Sequence, residues 1–270
     1  SMDDVLYEAR LLADSGIKEL IVVAQDTSRY GLDLYGKRML PELLTELCKI
    51  DGLHWIRIHY VYPDEITDEL IDTMAREPKI VKYLDIPIQH CNNKILKLMN
   101  RRGDGAFLRE LFAKLRDKMP DIVIRTSVIT GLPGEGEEEF TELCEFLKEM
   151  KLERVGAFAF SPQEGTPAFE MEYPDFSVAQ ERAEILEQIQ SRIMDDYNTS
   201  FIGKKMEVLV DGYNEEFGQF YGRTYGDSPD IDGRVWIASD EALIEGTFIN
   251  VMIDGLVDGD LSGYPEEETV

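Results

Sequence analysis

Five short apolar runs, each separated from the next by a stretch long enough to hold a helix, constrain this chain more than any other feature. The runs cover 19–24, 56–60, 83–88, 122–129 and 155–160. Helix-like spacing fills the intervals at 41–50, 64–76, 93–99, 106–119 and 136–150. Crossovers of that length join parallel strands, because an antiparallel pair needs only a tight turn. A further helix over 3–14 stops at Ser15-Gly16, so the series opens on a helix, one strand late. No glycine fingerprint follows the first run. An incomplete parallel β/α barrel therefore fits better than a doubly wound sheet.

A polar helix over 177–198, with Ala183, Leu186, Ile189 and Ile193 as its apolar stripe, leads into a region of different character. After Gly203 glycine becomes frequent, and β-rich runs at 206–210, 219–225, 235–238 and 248–253 predict a small antiparallel β-barrel. The expected organisation is a core over 1–202 followed by a module over 203–270, the latter ending in an acidic run, Glu266-Glu267-Glu268.

Three cysteines in 270 residues, Cys48, Cys91 and Cys144, form no compact metal-binding pattern and suit a reducing compartment. No apolar run approaches membrane-spanning length, and the first residues lack the basic start and apolar stretch of a signal peptide. A cytoplasmic location is the expectation. The net charge of −26 repels nucleic-acid phosphates and attracts a cationic partner.

A parallel sheet delivers its strand ends to one rim, and here those ends are polar. They are Gln25-Asp26-Thr27-Ser28, His59-Tyr60, Gln89-His90, the segment 126–135 and Phe160-Ser161. Gln89 and His90 are expected to point together into the mouth, where His59 can meet His90. Asn92 or Asn93 can cap the next helix, whose Ile95, Leu98 and Met99 share a face. Gly131 and Gly134 let backbone approach a ligand closely. Glu135 and Glu137, Glu138 and Glu139 suit the dipole of the helix they precede or begin. The histidines make no metal site, and neither Ser127 nor Ser161 lies in a nucleophile-elbow pattern.

Four fragments together resemble one family, the radical-SAM methylthiotransferases. They are Val23-Ala24-Gln25-Asp26-Thr27; Ile86-Pro87-Ile88-Gln89-His90 with Met99-Asn100-Arg101-Arg102-Gly103; Ser127-Val128-Ile129-Thr130-Gly131-Leu132-Pro133-Gly134-Glu135; and Ala159-Phe160-Ser161-Pro162 with Gly165-Thr166-Pro167-Ala168. They occur in the family's order and cover essentially the whole chain. The module is similar to the family's TRAM domain, and its stretch 222–233 resembles the branch that acts on a ribosomal protein more than the branch that acts on tRNA. Charge supports the same choice. From Gly203 onward four basic residues stand against sixteen acidic ones, a net −12, whereas an RNA-binding barrel needs a basic, aromatic-lined face. The aromatics are present (Tyr213, Phe217, Phe220, Tyr221, Tyr225, Trp236), about half of them expected in the barrel core.

The resemblance implies methylthiolation of the β-carbon of an aspartate in ribosomal protein S-twelve of the small subunit, on the ribosome. It implies S-adenosyl-L-methionine and 4Fe–4S clusters as cofactors, a reduced cluster cleaving the former to a 5′-deoxyadenosyl radical. By position, Gln25 and Asp26 match the segment near the methionine end of that cofactor, and Gln89 and His90 the segment facing ribose and substrate. Ile129, Gly131 and Gly134 would border the adenosyl group, and Phe160 and Ser161 would close the adenine side. Arg223, Tyr225, Asp227, Asp230 and Asp232 are the candidates for substrate contact. The family holds its cluster with three cysteines spaced C-x3-C-x2-C, and this sequence has no such triplet. The expectation is therefore a part of a longer enzyme, lacking the first strand, the cluster loop and the amino-terminal domain with its second cluster, and inactive by itself. A tRNA-directed methylthiotransferase and a non-enzymatic ribosome-docking protein are the alternatives.

Overall fold

The computed structural model describes residues 1–266; Glu267 and Glu268 of the acidic end lie outside the described residues. The first unit runs α1 (Met2–Asp14), β1 (Glu19–Val22), α2 (Leu32–Tyr35), α3 (Leu40–Cys48), β2 (Trp55–Ile58), α4 (Asp68–Arg76), β3 (Ile80–Asp85), α5 (Asn93–Leu98), α6 (Gly105–Lys118), β4 (Val123–Thr130), α7 (Glu137–Met150) and β5 (Arg154–Ala159). The strands form one parallel sheet in the order β1-β2-β3-β4-β5. Its order matches its sequence, as expected when each right-handed crossover places the next strand alongside the last. β1 and β5 are the open edges.

Local chemistry explains the element ends. Ser1 caps α1 in a reciprocal box with Asp4, Thr67 caps α4, and Asp104 caps α6. Two elements of this unit differ most from the periodicity. Pro63–Glu65 is a turn of 3-10 helix, so α4 starts only after Thr67. The third strand is Ile80–Asp85, and Pro87, which has no N–H for a ladder, falls in the extended segment beyond it.

One face of the sheet carries the helices and the main core. Leu44, Leu47, Ile56, Ile58, Leu84, Ile124, Phe112, Phe146 and Leu147 are all fully buried there. The other face is concave. Its amino-terminal half is covered by the second unit, which follows the 24-residue α8 (Phe176–Thr199). That unit is a closed barrel of β6 (Lys205–Asn214), β7 (Gln219–Arg223), β8 (Val235–Ile237), β9 (Phe248–Val257) and β10 (Asp260–Pro265). It is antiparallel except for β8 and β10, which pair in parallel and close it. Val208, Val235, Ile237, Val251, Ile253 and Leu261 fill its interior. No helix of the described residues is long and apolar enough to cross a membrane.

Candidate active site

The parallel register brings the carboxy ends of β1 to β5 to one rim of the concave face, the usual place for ligands on such sheets. After β1, the Gln25-Asp26 turn is held from below by Thr27. The Thr27 hydroxyl donates to His59 O (2.6 Å) and accepts from Ala24 N–H (3.0 Å), while Thr27 N–H donates to Tyr60 O (2.9 Å). Gln25 is exposed and Asp26 half-buried, its carboxylate accepting from the Ser28 hydroxyl.

Two non-glycine residues on this rim adopt left-handed backbone: Tyr60 (φ 55°) after β2 and Gln89 (φ 69°) after β3. Such conformations cost on the order of 1–3 kcal/mol and gather where surrounding structure imposes them at functional positions. Gln89 is imposed on both sides. Its N–H donates to Ser127 O (2.9 Å), and Ile129 N–H donates to its carbonyl (2.8 Å). Tyr60, 43% exposed, was expected on the rim but not among the ligand-contact candidates, since no local signal marks a left-handed tyrosine.

The turn at Gln89 also separates the two side chains expected side by side. Gln89 stays half-exposed, whereas His90 is fully buried. His90 Nδ1 accepts from Asn92 N–H (2.9 Å), and Nε2 faces Glu135 Oε2 at 3.6 Å. His90 is thus outside the mouth, and His59 does not meet it. His59 lies on the concave face against the Ser228 hydroxyl (3.0 Å), and burial lowers its pKa. Asn92 is the cap of α5, accepting from the N–H groups of Lys94 and Ile95.

Gly131 (φ 73°) and Gly134 (φ 80°) turn the chain after β4. A Cβ on Gly131 would collide with Ala179 of α8, and one on Gly134 would meet Leu98 of α5 at 2.8 Å. Their first role is close packing of the loop between two helices. Ile129, Phe160 and Ser161 remain partly or fully exposed, Phe160 edge-on to Tyr173 at 5.5 Å. Of the acidic run, Glu139 reaches back to accept from Gly136 N–H (2.8 Å) in the first turn of α7, where dipole complementarity led one to expect an acidic residue. Glu135 instead is buried, accepting from Gly131 N–H (2.9 Å) and Arg182 (2.8 Å).

The residues proposed for substrate contact lie mostly in the seam between sheet and barrel. Arg223 pairs with Asp211 (2.7 Å) and Glu19 (2.6 Å), and Asp227 with Arg154 (2.8 Å). Asp232 accepts from Tyr83 OH (2.6 Å) and from Ser228 N–H (2.9 Å); burial raises its pKa. Tyr225 OH donates to Asp121 O (2.9 Å). Asp230 alone of the five is exposed. Of the barrel aromatics, Trp236 is buried, Phe220, Tyr221 and Tyr225 are partly buried, and Tyr213 and Phe217 are exposed.

Among the described residues, no group of three or more His, Cys, Asp and Glu could hold a metal ion. Burial pushes the Cys91 thiol up to about 12 and that of Cys48 to about 11, opposite to what a ligating thiolate needs. These residues do not fit an iron–sulfur cluster. The rim suits S-adenosylmethionine better. An exposed amide at Gln25, a half-buried carboxylate at Asp26 and a half-exposed amide at Gln89 share one rim with partly exposed apolar surface at Ile129 and Phe160.

An open parallel sheet with a polar, locally strained rim, joined to a small closed β-barrel, defines the class of protein. Residues 1–147 match the family model described as the Radical SAM superfamily, and residues 202–265 that of the TRAM domain. The chain belongs to the radical SAM superfamily. It is 47% identical over 266 residues to the ribosomal protein uS12 methylthiotransferase RimO of Lachnoclostridium phytofermentans, covering 98% of this chain and 60% of that protein. The same-named protein of Caldanaerobacter subterraneus subsp. tengcongensis is also 47% identical, over 97% of this chain and 60% of its own length. The chain thus spans about 60% of the length of these relatives. Coproporphyrinogen III oxidase (HemN) of Escherichia coli shares the fold, with a TM-score of 0.54 at 16% identity, over 83% of this chain and 57% of that one.

Proposed function

We propose that the protein to which this chain belongs methylthiolates the β-carbon of an aspartate in ribosomal protein uS12, using S-adenosyl-L-methionine, in the cytoplasm. The observation that carries the reading is near-half identity to uS12 methylthiotransferases along almost the whole chain, with the polar segments falling on one rim. In this reading residues 1–202 are the cofactor-binding core and 203–270 the TRAM module. The cluster ligands belong to sequence outside these 270 residues. The open edge of β1, beside a groove of about 870 Å³ lined by Leu12, Leu20, Val22, Tyr30 and Leu43, supports a further strand pairing there.

Bound S-adenosylmethionine would supply the radical that abstracts hydrogen from an unactivated carbon; this chain's residues bind, orient and exclude water. Gln25 and Asp26 would take the methionine end, Gln89 the ribose and substrate side, Ile129 to Gly134 the adenosyl group, and Phe160 and Ser161 the adenine side. His90 would act from behind Gln89. The net charge of −12 after Gly203, with Tyr213 and Phe217 exposed, favours a basic protein over tRNA. Asp230 is the exposed acidic candidate on that module, while Arg223, Tyr225, Asp227 and Asp232 would act by holding it on the sheet.

Mass spectrometry of ribosomal proteins from strains with and without the gene tests the proposal. The expected result is uS12 heavier by one methylthio group in the wild type alone. An unshifted uS12 with a shifted tRNA would transfer the assignment to the nucleic-acid branch.

A further inference from the structure

Behind the rim lies a buried cluster of ionisable side chains. His90 is fully buried, and the Glu135 and Arg182 side chains are 0% and 7% exposed. With Nδ1 accepting from Asn92 N–H, the neutral His90 ring carries its proton on Nε2, a tautomer assigned from that bond. The Nε2–H points at Glu135 Oε2, 3.6 Å away, and neither atom has another partner among the described residues. At that length the contact is electrostatic more than a formed hydrogen bond. The other carboxylate oxygen of Glu135 accepts from Gly131 N–H and from Arg182, which also bonds Glu135 O (3.3 Å) and Glu137. Burial opposes ionisation of Glu135, but the His90 ring, Gly131 N–H and Arg182 outweigh it and hold its pKa below the ordinary value.

The three residues come from three places. His90 sits one residue past the left-handed Gln89, Glu135 ends the Gly131–Gly134 turn, and Arg182 lies on α8. Thr130 adds a parallel tie, its hydroxyl donating to Ala179 O (2.7 Å). The backbone of Gln89 is in turn bonded to Ser127 and Ile129. A charge clamp therefore grips both rim segments from the side opposite the mouth.

We propose that His90, Glu135 and Arg182 form a positioning network that fixes Gln89 and the Ile129–Gly131 segment in the geometry that binds S-adenosylmethionine. The inference rests on the functional reading above and adds three residues that do not themselves touch the ligand. A structural anchor alone would change the amount of folded protein and leave the affinity of the folded fraction unaltered. A positioning network changes that affinity and couples Glu135 to the backbone at 89–92, more than 40 residues away in sequence.

The test takes the full-length protein and measures the dissociation constant for S-adenosylmethionine by equilibrium dialysis, with amide hydrogen exchange over 89–92 and 131–135. Glu135→Ala is expected to weaken binding about tenfold, roughly 1.4 kcal/mol, and to speed exchange in both segments. Glu135→Gln, which keeps an acceptor for Gly131 N–H, should fall between wild type and Glu135→Ala. His90→Asn keeps an acceptor for Asn92 N–H and loses the proton facing Glu135; it should weaken binding with little change in melting temperature. If Glu135→Ala does not fold, Glu135→Gln and His90→Asn carry the comparison. Folded variants with wild-type affinity and unchanged exchange at 89–92 overturn the proposal. A wild-type protein that does not bind S-adenosylmethionine overturns the functional reading instead. Exchange at 89–92 in the Glu135 variants then decides the network alone, faster exchange supporting it and unchanged exchange rejecting it.

Discussion

The two ends of the concave face are equally polar and opposite in use. Where the barrel covers that face, Glu19, Arg57, Tyr83, Arg125 and Arg154 meet Arg223, Asp227 and Asp232 of the barrel, and the charges are paired. Arg57 bonds Glu19 (2.8 Å) and Tyr225 O (2.8 Å) and lies over the Tyr83 ring at 4.6 Å. At the carboxy-terminal end, Gln25 and Tyr60 are exposed, Gln89 half-exposed, and two residues hold left-handed backbone. Polarity is shared; pairing is not. A polar strand end becomes a binding site when its groups are left free and its backbone is held in strain, and a seam when its charges find opposite charges across the interface.

That contrast can be broken most forcefully at the seam. Asp227→Ala leaves the Arg154 guanidinium, 7% exposed, without its carboxylate. It also removes the acceptor for Thr224 N–H and hydroxyl. Loss of one partner from a buried pair costs about 3–5 kcal/mol, so denaturant unfolding should show a drop of that size. Tyr83→Phe strips one donor from buried Asp232, which keeps Ser228 N–H, and should cost about 1–3 kcal/mol by the same measurement. At the rim the sign reverses. Gln89→Gly releases a non-glycine left-handed residue and should leave stability unchanged or raise it by up to about 1 kcal/mol, while removing the side chain proposed above to face the ligand. A seam-like loss of several kcal/mol at Gln89 would erase the distinction.

The smallest effect is in acid. A hydrogen bond from Lys94, with Gly136 N–H behind it, holds the Glu139 pKa at about 2, below its ordinary value of 4.5. A carboxylate depressed on folding stabilises the native state above its unfolded value and loses that contribution as pH falls from 4.5 towards 2. Glu139→Gln should therefore flatten the fall of stability across that window, read as melting temperature against pH. An unchanged slope would show the cap to be passive.

Much of this was legible in the sequence, for identifiable reasons. The five strands of the sheet are short buried runs, and their helices keep one apolar face, so α1, α3, α6, α7 and α8 fall within about two residues of where periodicity puts them. β10 escaped notice because Asp260, Ser262 and Gly263 dilute its apolar signal, and its partners β8 and β9 supply the pattern. The seam was illegible because its pairs are remote: Asp227 and Arg154 are 73 residues apart, Asp232 and Tyr83 149. Read locally, 222–233 is an acidic turn-rich loop that should face a partner. His90 failed differently. Neighbouring side chains of an extended chain point to opposite faces, so only a turned backbone could bring Gln89 and His90 into the mouth together; the left-handed turn at Gln89 does not do so, and His90 is buried.

The most direct measurement combines abundance with modification. A strain lacking the gene is complemented with the full-length protein carrying Gln89→Ala, and uS12 is weighed by mass spectrometry while the enzyme is quantified in the same cells. The rim account predicts enzyme at wild-type abundance and uS12 without its methylthio group. Fully modified uS12 at that abundance would contradict it.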